Sequence, residues 1–104
     1  MLVPMLLAPG IVYAVRGPTG TDATLAAEGG RVFQAKGCTG CHQMDGVGTA
    51  VACDLDRVGR RRNRGWLRVW LADPQGVRPG TLMPDPHLTH AETVALAEFL
   101  ARRI

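Results

Sequence analysis

Two cysteines and a histidine fall within one pentapeptide, Cys38-Thr39-Gly40-Cys41-His42, and nothing else in the 104 residues constrains the fold as tightly. Two thiols three positions apart, in a tight turn at a helix end, can both reach one edge of a flat macrocycle. The next residue then directs its imidazole over the ring. Gly40 suits the sharp backbone path between the thiols. This is the C-x-x-C-H arrangement in which two porphyrin vinyl groups become thioethers and a histidine ligates the iron, the attachment signature of haem c. Other chemistries also use paired cysteines. A redox dithiol needs a βαβ context, which the sequence lacks. A zinc site needs a second pair, and Cys53, His87 and His90 match no common finger spacing. With three cysteines, a fully paired disulfide framework within one chain is excluded.

Size and composition agree with a cofactor holder. A chain of 104 residues is one domain at most, and domains of this length bury only about two-thirds of the surface they expose unfolded. Aromatic residues are 5%, with 13 glycines and 7 prolines. Such a chain invites an added stabiliser, and a covalent macrocycle supplies hydrophobic mass. The 46% hydrophobic content excludes wholesale disorder. A net charge of +3 is too weakly basic to argue for a nucleic-acid partner.

A second axial ligand is expected if the iron is to shuttle electrons. Met83 is the candidate, in the loop Arg78-Pro79-Gly80-Thr81-Leu82-Met83-Pro84. A thioether favours ferrous iron and raises the potential, and Pro79 and Pro84 stiffen its loop. Met44 lies too near His42 to reach the opposite face, so the competitors are His87 and His90, or an open site. As an alternative to ligation, Met83 fills a gap in the core.

Three main helices are expected. The first spans 23–36, with Asp22 as N-cap and Leu25, Gly29, Val32 and Phe33 on one face; Gly37 ends it in a left-handed cap. The second spans 63–73, with Asn63 as cap, Trp66, Leu67, Trp70 and Leu71 as apolar face, and Asp73-Pro74 as stop. The third spans 90–102, opened by the capping box Thr89-His90-Ala91-Glu92, with Leu96, Phe99, Leu100 and Arg103 on one side. Residues 43–62 and 74–88 read as loops, and no strand pattern is evident. Residues 1–15 are uncharged and nearly all apolar, too short to span a bilayer comfortably. They read as a signal-peptide remnant or a weak membrane anchor, although a charged start is missing. Residues 16–22 form a linker, and 23–104 the folded domain.

Over roughly residues 25–103 the chain resembles the small bacterial monohaem class I cytochromes c. The resemblance rests on Cys38, Cys41 and His42, on Gly29 with Phe33 and Leu96 with Phe99, and on the segment from Trp66 to Pro84. It implies an all-α fold: three main helices wrapped around one covalently attached haem c, with Gly29 letting the first and last helices cross closely. It implies His42 and Met83 as axial ligands, and one-electron transfer between respiratory redox partners, in the periplasm or at the outer face of the cytoplasmic membrane. The family usually carries Gly-Pro shortly before a leucine, where the proline carbonyl orients the proximal histidine. Here Ala52-Cys53-Asp54-Leu55 stands in that place. The Cys53 carbonyl is expected to accept from His42 Nδ1–H instead, and the Cys53 side chain reads as a small buried free thiol or as a site of intermolecular disulfide formation.

Six arginines lie within twelve residues, Arg57, Arg60, Arg61, Arg62, Arg64 and Arg68. They form a solvated face, neutralise haem propionates, or dock a redox partner with an acidic surface. Trp66 and Trp70 are expected as walls against the porphyrin, with the Trp66 N–H as a further propionate donor. No nucleophile–base pair is visible, so an electron carrier is expected rather than an enzyme. Two alternatives stay open: a haem enzyme or gas sensor with an open sixth site, and a haem subunit docked to a larger membrane oxidase, reductase or dehydrogenase.

Overall fold

The structure, a computed structural model, describes residues 22–104. The segment 1–15 and nearly all of the 16–22 linker lie outside the described residues. Five helices follow one another: α1 over 22–35, α2 Val58–Arg61, α3 Arg64–Ala72, α4 Pro74–Val77 and α5 His90–Ala101. Between α1 and α2 stand a 3-10 turn, Cys38–Gly40, and a two-residue antiparallel ladder, β1 Gln43–Met44 with β2 Val47–Gly48. The architecture is all-α, as expected. Three long helices fall where periodicity put them, each within a residue or so of its expected limits. Asp22, expected as a cap, is already helical. Two short helices and the ladder correct the reading of 43–62 and 74–88 as loops without strands.

Local chemistry explains each helix end. Asn63 Oδ1 accepts from Trp66 N at 2.8 Å and starts α3. Asp73 accepts from Gly76 N at 3.1 Å, with Pro74 in the first turn of α4. The same Asp-Pro pair that stops α3 therefore starts the next helix, since proline is tolerated only there. Thr89 and Glu92 close the reciprocal capping box on α5, with Glu92 N donating to Thr89 Oγ1 at 3.1 Å and Thr89 N to Glu92 Oε1 at 2.8 Å.

α5 is the central strut. Thr93, Ala95, Leu96, Ala97, Glu98 and Leu100 are all buried, so the helix is covered on several faces rather than one. Small residues permit the close approaches. A Cβ on Gly29 of α1 would overlap the Ala95 carbonyl oxygen and stand 2.6 Å from Phe99 Cβ. Phe33 and Phe99 seal that crossing with ring centroids 5.7 Å apart. At the other end, Gly59 of α2 lies against the Ala101 backbone and donates to the Arg103 carbonyl at 2.8 Å.

Glu98, with its side chain only 7% exposed, joins α3 to α5. It accepts from Arg64 Nε and from Arg102 Nε, each at 2.8 Å. Arg64 is thus a structural member of the arginine cluster, not part of a free docking face. The hydrogen bond from Arg64, then that from Arg102, holds the Glu98 carboxyl below the ordinary glutamate pKa. Stabilisation of the carboxylate in the folded chain alone is complete above about pH 4.3, the unfolded value, and is lost as pH falls through the lowered folded value. Glu98→Gln should cost about 2 kcal/mol at pH 7, the scale of hydrogen bonds to a charged group. The gap to wild type should close toward pH 3, as read from urea midpoints at the two pH values.

Candidate functional site

The cysteine turn is built by α1 and clamped by the segment after it. α1 ends at Gly37, whose φ of 68° is the left-handed cap expected. Gly40 is not among the glycines with positive φ; the special conformations fall on either side of it, at Gly37 and in the Asp45-Gly46 turn. There φ is 53° and 76°, as a two-residue hairpin with both central residues left-handed requires. Gly48, with φ of 112°, lets the hairpin lie against the turn, because a Cβ there would overlap the His42 carbonyl oxygen. Thr49 N donates to Thr39 O at 2.9 Å, and Ala52 N to Cys41 O at 2.7 Å. Arg103 pairs with Asp45 and so ties the hairpin to the C-terminus.

His42 Nδ1–H donates to the Cys53 carbonyl at 2.7 Å, the bond expected in place of a proline carbonyl. A carbonyl only accepts, so Nδ1 carries a proton, and in the neutral imidazole Nε2 is then the nitrogen with the lone pair. The Cys53 side chain is exposed rather than buried, because it is the backbone oxygen of this segment that the histidine engages. No disulfide joins any of the three cysteines. Burial pushes the Cys38 thiol above its ordinary pKa, the reverse of the low value a redox dithiol requires. Among the described residues no three His, Cys, Asp or Glu side chains converge to hold a metal ion.

A cleft of about 1180 Å³ opens beside this turn. Usual small-molecule sites run ~300–1,000 Å³, so the space suits a macrocycle. Cys38, Cys41 and His42 line it together with Met83, and Phe33, Leu55, Val58, Leu67, Leu71, Leu96 and Leu100 supply apolar wall. Trp66 and Trp70 line it too, stacked at 5.4 Å and 10°. Half-buried Met83 receives a hydrogen bond on its sulfur from Trp70 Nε1 at 3.1 Å. Buried Met44 belongs to the core. His87 is exposed and set against Asp85, and exposed His90 opens α5; neither lines the cleft. Arg61, Arg62, Arg78 and Lys36 bring positive charge to the cleft wall. Arg57, Arg60 and Arg68 are exposed and take no part in it.

One residue of this site has no local sequence signal. Gln75, on α4, holds the 78–84 loop. Its Nε2 donates to the Thr81 carbonyl, and its Oε1 accepts from Gly80 N at 3.2 Å. The loop is stiffened by this amide as well as by its prolines.

A largely apolar cleft in an all-α frame is lined by the paired-cysteine turn and by the Met83 thioether. The chain belongs to the cytochrome c family, whose model, described as Cytochrome c, matches residues 26–103. Its class of chemistry is haem-based electron transfer. The chain is 33% identical over 100 residues to a cytochrome c oxidase subunit 2 from Alkalihalophilus pseudofirmus, an alignment covering 88% of this chain and 28% of that protein. It is 30% identical over 94 residues to a cytochrome c oxidase subunit 2 from Bacillus subtilis, covering 76% and 26%. The chain therefore spans about a quarter of the length of these relatives. No solved structure matches at a comparable level.

Proposed function

We propose that the domain 23–104 carries one haem c, bound through Cys38 and Cys41, ligated by His42 and Met83, and used for outer-sphere one-electron transfer. The observation that carries this reading is the convergence of all four residues on one cleft. The residues fit the group: two thiols on one turn, a histidine whose Nδ1 is engaged by a carbonyl, a thioether on the 78–84 loop and cations for carboxylates. Bound there, haem supplies a metal that changes oxidation state by one electron. His42, fixed by Cys53, and Met83, fixed by its loop, keep the ligand set unchanged between states, so little geometry needs to reorganise. The core side chains exclude water and the arginines offset propionate charge.

Electrons pass at the cleft rim, where Val51 and Leu82 are 71% and 96% exposed and Arg61, Arg62 and Arg78 stand nearby. That surface favours a partner with an apolar contact and acidic surroundings, in a small, weak encounter. The names of the relatives favour a second form of the same reading, in which the domain serves a larger cytochrome c oxidase. Among the described residues no helix is long and apolar enough to cross a membrane. Residues 1–15, as an export signal or anchor, would place the domain in the periplasm or at the outer membrane face.

The experiment is intact-mass measurement under denaturing conditions on protein matured in an oxidising compartment. The expected mass is that of the chain plus one haem, and Cys38→Ala or Cys41→Ala should sharply reduce the stably attached fraction. A wild-type chain that releases all its haem on denaturation would overturn the assignment. Co-purification with an oxidase separates the docked form from the free carrier.

A further inference from the structure

The chain between α4 and Met83 has no apolar anchor. Residues 78–82 include no buried side chain, and Leu82 is 96% exposed. Few buried apolar contacts make for easy local opening, so hydrogen bonds must hold this stretch. Thr81 N donates to the Arg78 carbonyl at 3.0 Å and closes a turn with Pro79 and Gly80 at its centre. Gly80 has φ of 86°, the left-handed value that a type II turn requires. That turn is self-contained and ties nothing to the rest of the molecule. The Gln75 side chain makes the attachment. Its Oε1 accepts from Gly80 N at 3.2 Å, and its Nε2 donates to the Thr81 carbonyl and stands 3.5 Å from the Met83 carbonyl. Among the described residues no other group bonds the Gly80 N–H or the Thr81 carbonyl. Thr81 passes the hold on, because its hydroxyl accepts from Met83 N at 3.4 Å. Gln75 is itself placed by α4, which Asp73 caps and buried Pro74 anchors.

We infer that Gln75 is a positioning residue that latches the 78–84 loop, keeps Met83 on the iron and so closes the sixth position to exogenous ligands. This rests on the reading of Met83 as that ligand. A small ligand binds the iron only after the thioether has left. Lasting release requires the loop to lift, and each lift breaks the Gln75 bonds. Gln75 contacts loop backbone and not the sulfur, so the closed state keeps its ligand set and its potential. The latch governs how often the site opens.

The test is imidazole binding to the ferric holoprotein, followed by stopped flow. At high imidazole the observed rate levels off at the rate of Met83 release. Gln75→Leu should raise that plateau roughly five- to twentyfold, the lower part of what two net hydrogen bonds carry, because both are exposed to water. Leucine matches glutamine in helix propensity, so the denaturant midpoint and the potential should stay close to wild type. Gln75→Glu keeps an acceptor for Gly80 N but sets a carboxylate against the Thr81 carbonyl, and it too should release Met83 faster. If wild type shows the sulfur-to-iron band and the leucine variant has an unchanged plateau, the inference is wrong. Faster release matched by an equal loss of global stability also overturns it, since Gln75 would then be merely structural. If wild type lacks the band, the ligand reading itself fails and takes this inference with it. Should the variants not fold, hydrogen exchange in the wild-type holoprotein decides: the Gly80 amide should be protected, and exchange at the free-peptide rate overturns the latch.

Discussion

Met83→Ala should lower the reduction potential by on the order of 0.1–0.3 V, a fraction of the roughly 0.8 V that axial ligands command, while the haem stays attached. The attachment turn explains the second half. Cys38, Cys41 and His42 are clamped by the hairpin, by Thr49 and Ala52, and by the Cys53 carbonyl, none of which involves the 78–84 loop. The first half follows from chemistry: a soft, neutral thioether favours ferrous iron, and water in its place favours ferric. The variant should also bind carbon monoxide readily when reduced. Potentiometric titration with carbon monoxide addition checks both, and an unchanged potential would contradict the ligand assignment.

Gly29→Ala should cost about 3 kcal/mol, the upper end of overpacking penalties, although alanine normally favours a helix by up to ~1 kcal/mol. The added methyl would meet the Ala95 carbonyl and Phe99 Cβ, and backbone cannot swing aside. Separation of α1 from α5 would also displace the turn at Cys38, which follows α1 directly. Gly30→Ala is the control. Its Cβ would meet only the Phe99 ring edge at 3.3 Å, which can shift, so a near-neutral change is expected. Denaturant midpoints of the two variants decide, and a Gly29→Ala domain as stable as wild type would refute the close crossing.

The long helices were legible because their causes are local. Asn63 before Trp66, and Thr89 three residues before Glu92, are caps read directly from spacing, and the attachment turn is one pentapeptide. The Asp45-Gly46 hairpin had a local signal too, a two-residue turn type, overlooked because two-residue strands show no alternation. The four-residue helices were illegible for different reasons. α2 is arginine-rich, and it is fixed by contacts of Val58 and Gly59 with the core and the C-terminus. α4 hides behind a proline that reads as a stop. The Arg64–Glu98 and Trp70–Met83 contacts join residues 34 and 13 positions apart. No periodicity encodes such pairs. They exist because α5 is wrapped on several sides and because the 78–84 loop packs directly on α3 at Trp70.

The optical spectrum of the holoprotein, oxidised and then reduced, with carbon monoxide added to the reduced form, tests the ligation most directly. Ligation by His42 and Met83 predicts a weak near-infrared sulfur-to-iron band in the oxidised protein and no response to carbon monoxide. Absence of that band with ready carbon monoxide binding would contradict the electron-carrier reading and establish an open sixth site.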